Sequence, residues 1–294
     1  MLETLYNDEL VVTVNTLGAE LWSLKRRADG REFLWQGEKS VWPRRAPLLF
    51  PITGALKDGR IRIGEREYEI PMHGFARDYE HEVISEGADQ LTLRFPGNAE
   101  TAQRYPYHYV LEITYRLCGS LLEETACVRN TGEETMYFSL GFHTGFFCPP
   151  GRAGRARDCV IRFASREHCM RLETGPDGLL SGERKPFFQG GDTIPLNAPV
   201  FPGTLLLDHP KSLFVELADP AGGDYVRVFM KDFPYLLFWT NQKAVPFLCI
   251  EPWYGLPDPE CGEAEIGEKP GILSLAPGRT FSCTQAIGIS LRER

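Results

Sequence analysis

The chain has 294 residues, with 43% hydrophobic, 12% aromatic and 24% charged residues. That is enough apolar material for a large core, in one big β domain or two average domains. The formal net charge of -8, and the lack of any basic run beyond short stretches such as Lys25-Arg26-Arg27 and Arg152 to Arg157, exclude nucleic acid as an expected partner. These basic stretches are expected to be solvated loops or turns.

The elements in chain order are short strands between turns. Leu10 to Val14 and Ala19 to Leu24 open the series, and Arg60 to Ile70 reads as a hairpin turning at Gly64. His81 to Phe95 repeats that form. Tyr109 to Arg116 alternates as a half-buried strand should, Leu121 to Arg129 follows, and Asn130-Thr131-Gly132 turns the chain into Met136 to Leu140. Later strands are expected at Thr204 to Leu207, Leu213 to Leu217, Tyr225 to Met230, Tyr235 to Trp239, Leu248 to Glu251 and Phe281 to Leu291. One short helical turn is expected near Ala99 to Tyr105. With 29 Gly and 22 Pro spread evenly, no linker divides the chain, so the reading is all-β, one large antiparallel β-sandwich spanning 1-294.

The longest apolar runs are strand length, well short of the ~20 residues of a membrane-spanning helix. The start, MLETLYNDEL, has no basic segment followed by an apolar block, so a cytoplasmic location is expected, with no membrane partner. The eight cysteines form no CxxC pair and no zinc-type spacing, which reads as reduced, mostly buried thiols and no metal. Gly190-Gly191 and Gly222-Gly223 match no nucleotide fingerprint, so no cofactor is expected.

Three segments carry the chemistry: MHGFARD around His73, GFHTGF around His143 and CIEPWYG around Glu251. Two imidazoles and a carboxylate suffice to move protons near neutrality. Glu251 ends an apolar run, where desolvation raises a carboxyl pKa; the alternative is a strand-end Glu paired with an Arg. His143 stands between glycines that let backbone approach a ligand, or is a core His with a backbone partner. His73 donates to a sugar oxygen, or is a loop His near a turn. Trp253 stacks on a sugar face, or fills a β core. Asp208 binds a hydroxyl, or turns the chain before His209. Arg44 or Arg45 offers a planar donor set, or lies on the surface.

These motifs, with NTLGAELWSLKRRADGREFLWQG, WPRRAPLLFPITGAL and KPGILSLAPGRTFSCTQAIGIS, resemble in joint order the aldose 1-epimerase (galactose mutarotase) family, near its LacX-like branch. The resemblance covers nearly the whole chain. It implies a β-supersandwich with a sugar cleft and no metal in the chemistry. It implies Glu251 as general base on the anomeric hydroxyl, His143 as acid on the ring oxygen and His73 as the second His. It implies Asp208 and Arg45 as sugar-binding residues, and Arg77 and Trp253 are expected beside them as substrate-binding residues. The Asn-Arg motif of galactose mutarotases is absent before His73, which leaves the sugar open. The expected activity is interconversion of the anomers of a free aldohexose by a monomer or homodimer. A hexose-6-phosphate epimerase, with Arg44, Arg45 and Arg77 near the phosphate, and a non-catalytic sugar-binding protein are the alternatives.

Overall fold

A computed structural model describes residues 1–151, 154, 158–197, 203–220, 223–241, 246–261 and 265–290. Most of the basic stretch Arg152 to Arg157, together with Gly222 and Leu291, lies outside the described residues.

Two large antiparallel sheets dominate. The first joins nine strands: β17 (Gly191–Pro195), β14 (Val160–Glu167), β19 (Phe214–Ala218), β20 (Tyr225–Phe229), β24 (Thr280–Ile289), β10 (Leu121–Asn130), β9 (Tyr109–Cys118), β8 (Gln90–Pro96) and β7 (Glu82–Glu86), in that spatial order. The second runs β16 (Leu180–Pro186), β15 (Met170–Thr174), β18 (Thr204–Asp208), β21 (Tyr235–Trp239), β22 (Phe247–Tyr254), β12 (Leu140–Phe142) and β4 (Leu48–Leu49), with β13 (Thr144–Phe147) also on β22. A three-stranded sheet of β1 (Leu2–Tyr6), β2 (Leu10–Asn15) and β3 (Glu20–Arg26) adjoins them. The pairs β5 (Arg60–Ile63) with β6 (Arg66–Glu69) and β11 (Met136–Phe138) with β23 (Leu273–Leu275) complete the set.

Period-two patterning builds the layers. Along β9 the residues at odd positions from Tyr109 to Leu117 are buried, while their neighbours are more open. On β10 the buried set is Leu122, Glu124, Ala126, Val128 and Asn130. The inner faces of both large sheets meet in one apolar core that includes Leu111, Ile113, Leu122, Ala126, Phe238, Leu248, Ile250 and Ile287. β21 and β22 are buried on both faces, because their other face forms the floor of a cavity.

The expected helical turn is a single 3-10 turn at Thr101–Gln103. The basic stretch at 25–27 needs correction. Arg26 lies on β3 at 1% exposure, bonded to Asp29, Asp224 and the carbonyl of Ser290, so it is an internal ion-pair centre rather than a solvated residue. All eight cysteines are free thiols, with Cys118 and Cys261 exposed.

Candidate active site

Glu251 sits in the middle of β22. Its odd-numbered neighbours Phe247, Cys249 and Trp253 share its face of the sheet, while Leu248 and Ile250 point into the core. The pairing of β22 is interrupted between Gly141↔Trp253 and Thr144↔Ile250. His143 occupies that break, level with Glu251. Its Nε2 lies 3.3 Å from Glu251 Oε1.

The glycines of GFHTGF have a specific task, different from the ligand approach expected of them. They flank His143 at two positions on either side, on the same strand face. A Cβ on Gly141 would lie 2.6 Å from Trp253 Cδ1, and one on Gly145 would lie 2.8 Å from Trp42 Cζ3. The glycines therefore seat two indoles against the strand, Trp253 at Gly141 and Trp42 at Gly145. Trp42 stacks on the imidazole at 5.0 Å, and Trp239 and His73 approach it edge-on at 5.9 and 5.4 Å.

His73 follows Met72 in a tight turn with φ 67, a costly conformation for a non-glycine residue that aims the ring. Gly74, also left-handed, lies against the Phe50 carbonyl, where a Cβ would be 2.2 Å from the oxygen. The amide of Gly54 donates to His73 Nδ1 at 3.1 Å, so that nitrogen is an acceptor and Nε2 carries the proton. Pro257 packs on Gly54, and Asp258 beside it forms a buried pair with Lys269 at 2.5 Å and accepts the Lys57 amide. The LPD and KPG motifs thus hold the turn that carries His73.

Burial sets the electrostatics. It drives His143 down to about 3 and His73 well below the usual imidazole value, with His143, Arg77 and Arg44 adding to the depression of His73. It pushes Glu251 well above the usual carboxylate range, opposed by the nearby Trp253 indole. That indole does not close a full hydrogen bond, and both carboxylate oxygens lack a hydrogen-bond partner. The favoured resting state is therefore an uncharged pair, Glu251 protonated and His143 neutral.

These groups line a cavity of about 500 Å³ with Trp42, Arg44, Arg77, Asp177, Trp239 and Trp253. Burial lowers Arg77 to about 10, with the Arg44 charge helping. Arg44 pairs with Asp78 at 2.7 Å, while Arg77 donates to the Met72 carbonyl.

Of the residues expected at the site, the structure brings together Glu251, His143, His73, Arg77 and Trp253. It does not bring Arg45 or Asp208. Arg45 points away from the cavity, donating to the Trp22 carbonyl and Gln36 and lying 3.9 Å over the Trp22 ring; its neighbour Arg44 faces the cavity instead. Asp208 lies in a separate cavity of about 300 Å³ and is paired with Arg184 and His209. Register explains the distance: Leu206, not Asp208, is level with Leu237 and Glu251 across β18, β21 and β22. Asp177 was missed because it comes from a loop with no periodic signal. Cys249 was missed because its partners are on other strands: His143, Cys249 and Glu251 have ligand atoms within 4.8 Å of one another.

An acid–base pair thus lies on the floor of an aromatic-walled cavity, set in a large antiparallel β-sandwich. The chain belongs to the aldose 1-epimerase family, whose model matches residues 1–288. It is similar to the plasmid-borne protein LacX of Lactococcus lactis subsp. lactis, 33% identical over 283 residues, which are 93% of this chain and 94% of the relative. In structure it is similar to a galactose mutarotase related enzyme from Lactobacillus acidophilus, with a TM-score of 0.92 and 28% identity over 99% of this chain and 98% of that one. A galactose mutarotase-like protein from Lactobacillus casei also gives a TM-score of 0.92, at 29% identity over 99% of this chain and 100% of that one.

Proposed function

We propose that this protein is an aldose 1-epimerase that interconverts the α and β anomers of a free aldohexose, with the whole chain, 1-294, acting as one unit. The carrying observation is the contact of His143 Nε2 with Glu251 Oε1 at 3.3 Å on the cavity floor. The two sugar oxygens that exchange protons in mutarotation, the anomeric hydroxyl and the ring oxygen, are both bonded to C1. An acid and a base in contact with each other have the spacing those oxygens need.

In this reading the cyclic sugar meets the pair as Glu251 carboxylate and His143 imidazolium. Glu251 takes the proton of the C1 hydroxyl, His143 gives its proton to the ring oxygen, and the C1–O bond of the ring breaks to leave the aldehyde. The enzyme is then uncharged at both residues. Rotation about C1–C2 presents the other carbonyl face, and the reverse transfers close the ring. Burial that lifts Glu251 and lowers His143 favours the uncharged pair, which is the state that accompanies the open chain. Reaching the ion pair from that resting state costs the same free energy, so contacts with the sugar oxygens must stabilise it, and ring opening returns the pair to rest. His73, neutral with its proton on Nε2, donates to a sugar oxygen without itself giving the proton up. Trp42, Trp239 and Trp253 offer apolar walls to the sugar faces. The eight free thiols suit a reducing compartment, which supports a cytoplasmic setting.

A second reading, a hexose 6-phosphate as substrate, is favoured by one observation: two guanidiniums, Arg44 and Arg77, line the cavity with Asp78 as their nearby carboxylate. The test is anomer exchange followed by NMR on glucose, galactose and their 6-phosphates, with wild type beside Arg77→Met. A free-sugar preference that survives in the variant supports the first reading. A phosphate preference that collapses in the variant supports the second. No acceleration on any of the four contradicts both.

A further inference from the structure

Cys249 takes no part in proton transfer to a sugar, and it does not line the cavity; it stands two residues from Glu251, on the same face of β22, buried beside the cavity floor. The thiol is fully buried beside Trp35 and Phe247. His143 reaches the same point from the facing strand, and one ligand atom from each of the three residues lies within 4.8 Å of the other two. Tetrahedral zinc, with ligands at ~2.0–2.3 Å, places neighbouring ligand atoms roughly 3.3–3.7 Å apart. The 3.3 Å between His143 Nε2 and Glu251 Oε1 matches one edge of that figure. Both oxygens of the buried Glu251 carboxyl lack a hydrogen-bond partner, so they are free to coordinate. Imidazole nitrogen, thiolate sulfur and carboxylate oxygen are the donor types zinc accepts, and three protein ligands leave a fourth direction open toward the cavity.

We propose that His143, Cys249 and Glu251 form a binding site for a zinc-class divalent cation, whose occupancy ties up the acid–base pair and turns the site off. The cation bonds to the Cys249 sulfur as the thiol proton leaves to solvent, and the Glu251 carboxyl loses its proton in the same way. No oxidation change is involved. A bound cation engages the His143 nitrogen and Glu251 oxygen that face the sugar, so metal and sugar compete for the same atoms.

The test is a Co²⁺ titration of metal-stripped full-length protein, followed by absorption, because cobalt bound by a thiolate gives a sulfur-to-metal charge-transfer band. The expected result is a band that saturates at one cobalt per chain, is abolished by Zn²⁺, and is lost in Cys249→Ser with affinity reduced by at least ~100-fold. Glu251→Gln, close in volume, is the second variant if serine at 249 prevents folding, and the same loss of affinity is expected there. Wild type without the thiolate band, or Cys249→Ser binding cobalt as tightly as wild type, overturns the proposal. The spectrum reads the metal site whether or not a sugar reacts there, so its failure would leave the epimerase reading standing.

Discussion

His143 Nε2 stands 3.3 Å from Glu251 Oε1, and both side chains are shut away from bulk water, at 8% and 0% exposure. That single contact joins the fold to the chemistry. It exists because β12 and β13 part at His143 while both keep register with β22. Burial favours one proton on the two residues, held by Glu251, with His143 neutral.

The pH dependence follows from those two shifts. A second proton is taken up only near the depressed His143 value of about 3, and the first is lost only above the raised Glu251 value. The kcat/KM for anomer exchange is therefore expected to show no imidazole titration between about pH 5 and 7, because His143 lies far below that range. Polarimetry across that range checks it. A rise centred on the ordinary imidazole value of about 6.5 would show that free histidine titration governs the rate.

Gly141→Ala and Gly145→Ala test the seating of the indoles. Each new Cβ meets an indole carbon, at 2.6 Å for Trp253 and 2.8 Å for Trp42, so each ring must shift to admit it. Each variant is expected to lose about 1–3 kcal/mol of stability and to fall in kcat/KM. Urea denaturation with parallel kinetics reads both. Unchanged midpoints would mean that the rings move freely.

His73 is assigned as a neutral donor. His73→Phe keeps a ring but removes the Nε2 proton, with an expected fall in kcat/KM of roughly 10- to 100-fold. In ¹⁵N NMR of the wild type, Nδ1 is expected as the unprotonated nitrogen through neutral pH, since it accepts the Gly54 amide. A protonated Nδ1 would contradict the assignment.

Glu124 gives a stability prediction away from the cavity. Tyr115 Oη lies 2.7 Å from the Ala19 carbonyl and 2.8 Å from Glu124 Oε1. A phenol has one hydrogen, so Tyr115 shares its donation between the Ala19 carbonyl and Glu124, and neither acceptor is fully satisfied. Burial raises Glu124 from 4.5 to about 7, against the bonds from Gln285 and Tyr115. A carboxyl whose folded pKa is raised contributes stability that is present below 4.5 and lost as pH climbs through about 7. The loss is about 3 kcal/mol. Glu124→Gln is expected to flatten the fall in stability between about pH 5 and 8, measured by urea denaturation. An identical fall in the variant would assign that pH dependence elsewhere.

The strands that the sequence announced are those with one face in the core and one outside. β9 and β10 alternate because their inner residues meet the core while their neighbours do not. β16 did not announce itself, since its residues Leu180–Pro186 are nearly all exposed at an edge, with Glu183, Arg184 and Lys185 in a row, and β4 is only two residues long. At the site, residue type and neighbours pointed to His73, His143, Glu251 and Trp253. Arg44 and Arg45 are adjacent in the loop before β4, and which one faces the cavity depends on the course of that loop, which no local pattern fixes. Asp208 fails by position along its strand: it lies two residues, roughly 7 Å, beyond the level of Glu251. Cys249 was read as a buried thiol, which it is; its neighbours could be known only from the packing of strands.

The most direct test of the central claim is NMR anomer exchange of glucose and galactose with wild type beside Glu251→Gln. The account predicts acceleration by the wild type and a loss of roughly 100- to 10,000-fold in the variant, with the fold intact because glutamine fits the same unpaired, buried space. Equal acceleration by both proteins would contradict the role of Glu251 as the base.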